Sequence, residues 1–317
     1  MKRLTAAPEL GILLVLLLAC GFFQAMNPAF LSPGNLAVMA RSAAFTGILA
    51  VGMGYLLISG QIDISVGAIA GLASIVATFL MTKAGVSPWV GTIAGLCVGA
   101  AAGYINAKLV LKLGVSAVLS TISTLYIYRG LALVLSSGYT IYPLPQGLED
   151  FGQATPLGIS WAWWIFVGLV IAGELILRWT VWGLTVKATG SDRDTARNTE
   201  VDINKVNTQT FMLCGLCAAG AGILLTLRIM AGEPTLGTGW ELNCITAAAI
   251  GGVSLFGYDG SMLGVFLGVL LIQVVQNGLV VIGASAYWQG VEIGILLIAT
   301  AVYDLRRKAN LELKRSS

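Results

Sequence analysis

The sequence predicts an all-α polytopic membrane protein with about ten transmembrane helices. Three observations predict it. Apolar residues make up 57% of the 317 and charged residues only 10%, where a soluble domain carries about 25%. The mean hydropathy of +0.86 fits a chain whose solvent is the bilayer. The apolar residues also fall into runs of about 20, the length that crosses a hydrocarbon core. Low hydropathy with high charge, the signature of disorder, is absent.

The runs lie at 9–27, 36–58, 64–82, 89–111, 115–136, 160–181, 208–231, 242–256, 262–282 and 288–304. The eighth and tenth are short, which predicts broken or re-entrant helices near the cytoplasmic turns. The first run follows Lys2 and Arg3 and ends near Ala19-Cys20-Gly21, as a lipoprotein signal would. Nine further runs favour a retained helix. The connections leave no room for a soluble domain, so residues 1–317 are expected to form one integral-membrane domain. The longest connections are 137–159 and 182–207.

Lys and Arg set the orientation. With the N-terminus inside, only Arg41, Lys83, Arg129 and Arg228 of the 18 basic residues fall at the outer side or at outer ends of spans. An even number of spans with both termini cytoplasmic follows. Loop 137–159 has no Lys or Arg and is expected outside. Trp161, Trp163 and Trp164 mark one end of the sixth span and Trp179 and Trp182 the other, as interfacial belts do. Trp89, Trp240, Tyr287 and Trp288 are expected at boundaries too.

Composition also limits the chemistry. The chain has no His, which removes His-based acid–base relays and His metal sites. It has no P-loop, so any ATP hydrolysis belongs to another subunit. A net charge of +3 does not suggest nucleic acid as a partner. Cys20, Cys97, Cys214, Cys217 and Cys244 all lie in apolar runs and are expected to pack, not to ligate a metal.

Inside the spans, small and polar residues stand out. Gly91, Gly95, Gly99 and Gly103 recur every four residues, as do Gly264 and Gly268; such spacing lets helices approach closely. The fifth span carries Ser116, Ser120, Thr121, Ser123, Thr124, Tyr126, Tyr128 and Arg129. Arg129 needs a polar cavity or the interface. Gln273, Gln276 and Asn277 share one face of the ninth span. Ser120, Thr124, Arg129, Gln273, Gln276 and Asn277 are the candidates for lining a solute route. Glu174 and Glu292, acids within spans, would be the first suspects in an ion-coupled carrier. Two turns echo each other: Asp63-Ile64-Ser65 and Asp259-Gly260-Ser261 each place a cap-forming Asp and Ser before an apolar run. The stretch 183–207 is rich in charge, and 192–201 is expected to form a short helix at the membrane face.

Four segments together resemble a known family, over nearly the whole chain: Gly60-Gln61-Ile62-Asp63-Ile64-Ser65-Val66-Gly67, Ala188-Thr189-Gly190-Ser191-Asp192, Gly237-Thr238-Gly239-Trp240-Glu241-Leu242, and Gly251-Gly252-Val253-Ser254-Leu255-Phe256-Gly257-Tyr258-Asp259-Gly260. The family is the membrane permease subunit of bacterial ABC importers for ribose, xylose, galactose and related sugars. Gln61 stands where the family has a second glycine, Tyr258-Asp259 enlarges a glycine-rich turn, and Glu200-Val201 replaces Gly-Ile.

The resemblance implies an inner-membrane permease without catalytic residues, metal or cofactor of its own. ATP and Mg would be bound by partner P-loop ATPases docking on 182–207, with Gly190, Asp192, Arg193, Arg197 and Glu200 as coupling candidates. A second permease subunit, identical or related, would complete the pathway. A periplasmic solute-binding protein would deliver a monosaccharide or polyol-like solute. The alternatives are an ion-coupled carrier, or an importer permease for a sugar-like signalling molecule or a branched amino acid.

Overall fold

The computed structural model describes residues 8–145, 147–191, 202–255, 257 and 259–316. The chain runs through α1 (Pro8–Met26), α2 (Pro33–Ile58), α3 (Val66–Thr82), α4 (Pro88–Leu111), α5 (Ala117–Ser136), α6 (Glu149–Gln153), a 3₁₀ turn (Pro156–Gly158), α7 (Trp161–Trp179), α8 (Val181–Ser191), α9 (Ile203–Ile229), α10 (Trp240–Ile250), α11 (Met262–Val281) and α12 (Trp288–Ser316). There is no strand among the described residues, only an isolated bridge between Ile141 and Gly232.

Local chemistry sets the helix starts. Ser32 and Ser87 cap α2 and α4, accepting from the amides of Asn35 and Val90, and Pro33 and Pro88 occupy the first helical turn. Ser116, Ser160, Asp202 and Ser261 cap α5, α7, α9 and α11 in the same way. Gly85 and Gly114 follow α3 and α4 with φ of +66° and +72°, the left-handed turn that ends a helix.

Eight helices are long and apolar enough to cross a membrane, and α3 is a shorter apolar helix. The sequence expectation needs two corrections. The last span is one continuous helix, Trp288–Ser316, because its apolar part runs without a breaker into the charged tail. The third is short as well as the eighth, since residues 59–65 form a turn and linker before Val66.

Helices α2 and α9 form the centre, with 61% and 67% of their most apolar windows buried. α9 packs on α2, α3 and α4; α5 lies on α3 and α4; α11 lies on α1, α2, α7 and α10. α1 and α12 turn most of their surface outward. Glu9 accepts from Ser261 (2.8 Å), and Asp304 of α12 accepts from Ser254 and from the Leu255 amide (3.1 and 2.9 Å). Glu9 at the start of α1 and Asp304 of α12 therefore lie on the same face of the bundle, beside the α10–α11 turn.

Glycines set the closest contacts. Gly91 and Gly95 of α4 lie against the Ala77 and Ala73 carbonyls of α3, while Gly99 and Gly103 lie against Gly215 and Phe211 of α9. The ladder thus serves two neighbours, because α4 passes from one to the other along its length. Gly264 and Gly268 of α11 lie likewise on the Gly251 and Ala247 carbonyls of α10.

These contacts reveal an internal repeat. A long helix, a linker, a short helix and a glycine-bearing long helix occur as α2–α3–α4 and again as α9–α10–α11. The equivalent linkers are 59–65 and 230–239. The echo between Asp63 and Asp259 marks a shared capping chemistry and not equivalent positions, since Asp63 precedes a short helix and Asp259 a long one.

Exposed Trp89, Trp179, Tyr287 and Trp288 stand at helix ends. Trp240 also begins a helix, α10, but its ring stacks on Phe45 of α2, 6.4 Å apart, and not at an outer boundary. Cys214, Cys217 and Cys244 are buried, whereas Cys97 is exposed on α4.

Candidate functional site

The two short helices begin beside each other. Gly222 of α9 faces the Ala70 carbonyl, Ser74 bonds Thr226, and Gly232 abuts Thr78. α3 therefore runs alongside only the second half of α9, and its first turn lies within the bundle. At a rise of about 1.5 Å per residue, 11-residue α10 is about 16 Å long, half a bilayer core. A Cβ on Gly237, before α10, would lie 3.2 Å from the Gly67 Cα, at the start of α3. No larger residue fits on either side. Non-helical backbone reaches this depth only where protein or a polar cavity satisfies its amides and carbonyls.

One linker is held by a buried polar network. Asp63 accepts from the Ser65 amide (2.8 Å), the Ser65 hydroxyl (2.6 Å) and the Asn106 amide of α4 (2.8 Å). Asn106 also donates to Ser65 Oγ (2.8 Å), and Tyr128 of α5 donates to Asn106 Oδ1 (3.3 Å) and to the Ala102 carbonyl (3.1 Å). Asp63, Ser65 and Asn106 have no solvent exposure. Every partner of Asp63 is a donor, so both carboxyl oxygens are used as acceptors.

The other linker is held by Arg129. Its Nη1 donates to the carbonyls of Pro234 (2.6 Å) and Leu236 (2.9 Å). This nitrogen also lies over Gly71 of α3, 2.7 Å from where a Cβ would be. Glu241, at the start of α10, is the opposing charge in its field. Further out, Thr140 donates to Glu233 (2.6 Å), and this bond holds the Glu233 carboxyl below the usual carboxylate range.

The route candidates do not converge. Ser120 and Thr124 lie on the buried face of α5 with Thr121 and Tyr128. Thr124 donates to the Thr121 carbonyl (3.3 Å); Ser120 Oγ has no partner among the described residues. Asn277 exchanges two bonds with Asn35 of α2 (2.8 and 3.0 Å). Gln276 donates to Glu292 of α12 (3.4 Å). Gln273 lines a 480 Å³ groove with Leu36, Met39, Leu157 and Trp163. The i, i+3, i+4 spacing gave these three amides one face, but the face is wide enough to meet different neighbours. Sequence reading missed Asn106 and Tyr128 as members of the Asp63 network. Asn106, an amide in an otherwise apolar run, was the available signal.

Glu174 has a structural task. It pairs with Arg178 and accepts from the Met262 amide (2.6 Å), so a carboxylate from α7 caps α11. Glu174→Gln is expected to destabilise the fold by about 1 kcal/mol. Thermal unfolding in detergent checks this, and an unchanged midpoint would remove the capping role.

Among the described residues, no group of three Cys, Asp or Glu could hold a metal ion. The site offers hydrogen bonds and close packing around two linkers.

A profile described as "Branched-chain amino acid transport system / permease component" matches residues 35–301. The chain belongs to this family. It is a multi-pass permease of the inner membrane. The autoinducer 2 import system permease of Enterobacter sp. (strain 638) is 32% identical, over 98% of this chain and 90% of its own. The ribose import permease of Bacillus subtilis (strain 168) is 33% identical, over 95% and 93%. The L-arabinose ABC transporter permease of Azospirillum brasilense is 32% identical, over 94% and 88%. No solved structure matches the permease significantly. A permease component performs no catalysis of its own.

Of the coupling candidates, Gly190 ends α8. Its backbone meets both Gly60 and Gly257; a Cβ on Gly60 would lie 3.6 Å from its Cα. Residues 181–191 are helical, with Gly183, Val186 and Thr189 buried, so this part of 182–207 is not an open loop. Asp192, Arg193, Arg197 and Glu200, and the expected helix at 192–201, lie outside the described residues.

Proposed function

We propose that this permease forms the solute route of an ATP-driven importer for a monosaccharide or a closely related polyol-like solute. The observation that carries this is similarity along nearly the whole chain to import permeases for ribose, L-arabinose and autoinducer 2. Hydroxyls and amides suit a neutral polyol, which needs donors and acceptors without charge. Gln273 and Gln276 on α11 are candidates to meet the solute. Ser120 and Thr124 would reach it when α5 separates from α3 and α4.

A second permease subunit, identical or related, completes the route. Two P-loop ATPases bind ATP and Mg and dock on 182–207 through Gly190, Asp192, Arg193, Arg197 and Glu200. This reading makes the face that carries Glu9 and Asp304 cytoplasmic. The position of Gly190 there, against the turns at Gly60 and Gly257, supports it. A periplasmic binding protein delivers solute to the other face.

The test is affinity purification from native membranes, then reconstitution with whatever P-loop ATPase and binding protein are retained. ATP-dependent uptake of labelled ribose or arabinose is the expected result. ATP-dependent uptake of leucine instead would move the reading to branched amino acids. Uptake driven by an ion gradient with no ATPase retained would overturn it.

A further inference from the structure

Tyr128 and Arg129 are neighbours on α5, yet they hold different linkers. Tyr128 reaches through Asn106 to Asp63, in the linker before α3. Arg129 grips the Pro234 and Leu236 carbonyls, in the linker before α10. The linkers begin 171 residues apart in sequence, at 59 and 230, and enter the bundle from opposite faces. The second meets the first turn of α3, just beyond the first linker, where Gly237 touches Gly67. One turn of one helix is thus bonded to one linker directly and to the other through Asn106 of α4.

Arg129 suits this task. Its guanidinium is planar, permanently charged and rich in donors, and Nη1 bonds two carbonyls at once. Those carbonyls have lost the partners a continuous helix would supply. The neighbouring side chain secures α5 to the other linker. A shift of α5 therefore bears on 230–239 directly and on 59–65 through Asn106.

We propose that Tyr128 and Arg129 form a joint on α5 that couples the two linkers, so that they loosen and move together during transport. Arg129 is a positioning residue in this account. The bearing on transport rests on the function proposed above; the coupling itself does not.

The test separates the two. Hydrogen exchange is followed by mass spectrometry on the purified full-length permease, with uptake measured in the reconstituted complex. Removing Arg129 (Arg129→Ala) is expected to speed exchange in 230–239 by about tenfold, roughly the worth of one charge-assisted hydrogen bond. The joint further requires faster exchange in 59–65, where Arg129 makes no hydrogen bond. Tyr128→Phe should act in the opposite direction, speeding exchange in 59–65 and then in 230–239, because coupling is reciprocal.

Uptake by Arg129→Ala should fall through kcat with KM nearly unchanged. Arg129→Lys, which keeps the charge but loses the planar fork, should lie between. It also serves if Arg129→Ala does not fold. Exchange confined to the linker each residue touches would overturn the joint, even with uptake reduced. Coupled exchange in a permease that transports no sugar would leave the joint standing and defeat the proposed function.

Discussion

Gly99→Leu is expected to prevent α4 from docking on α9. Gly99 and Gly215 face each other backbone to backbone. A Cβ on Gly99 would lie 3.1 Å from the Gly215 carbonyl carbon, and a Cβ on Gly215 would lie 3.1 Å from that of Gly99. The obstacles are main chain and, beside Gly99, the Cβ of Ala219, and none of them can rotate away. Overpacking in a filled core costs about 1–3 kcal/mol where side chains can adjust. Here two helix axes must part, so the cost should reach or exceed the upper figure. Gly99→Ala should cost less than Gly99→Leu but remain destabilising. Gly130 of α5, whose Cβ would meet nothing within 4 Å, is the control and should tolerate alanine. Thermal unfolding of the detergent-solubilised permease ranks the three. Equal midpoints for Gly99→Leu and Gly130→Ala would show that the interface yields more than its geometry allows.

Asp63→Ala is expected to have an effect of similar size by a different route. The change removes the acceptor for the Ser65 amide, the Ser65 hydroxyl and the Asn106 amide. All three stand where water does not reach. A buried donor left without a partner costs about 1–3 kcal/mol. Ser65 can turn its hydroxyl elsewhere, and Asn106 keeps its bond to Ser65, so the total falls short of three full penalties. A loss of about 3 kcal/mol is expected. Asp63→Asn should also destabilise, because its new NH₂ group faces donors on one side. The order wild type, Asp63→Asn, Asp63→Ala in unfolding midpoint checks the account. A stable, transport-competent Asp63→Ala would show that packing alone holds this linker.

Much of the architecture was legible in the sequence. Hydropathy marked the apolar segments because the bilayer imposes their length. The Asp259-Gly260-Ser261 turn marked the start of α11 because capping is a local interaction between a side chain and an amide three residues away. Small-residue spacing marked close helix contacts, since only a missing Cβ allows them. The four motifs in order were enough to indicate the family.

The site was legible only in part. Arg129 drew attention as a charge in an apolar helix, but nothing local named the Pro234 and Leu236 carbonyls as its partners. Gln276 and Asn277 are sequence neighbours on one helix, yet one meets Glu292 and the other Asn35. Glu174 stood out only as a suspect for an ion-coupled carrier, and nothing local named the Met262 amide of α11 as its partner.

The sequence by itself determined an α-helical membrane protein, its apolar segments, where most of its helices begin, and its family. Tertiary structure alone decided that α3 and α10 begin beside each other, that α2–α3–α4 and α9–α10–α11 repeat, and that α5 holds one linker directly and the other through Asn106. The physical reason is range. Hydropathy, capping and helical periodicity act within a few turns of one chain. Which groups satisfy a broken helix depends on how distant helices are ordered around it, and that order is set by close contacts such as Gly67 on Gly237.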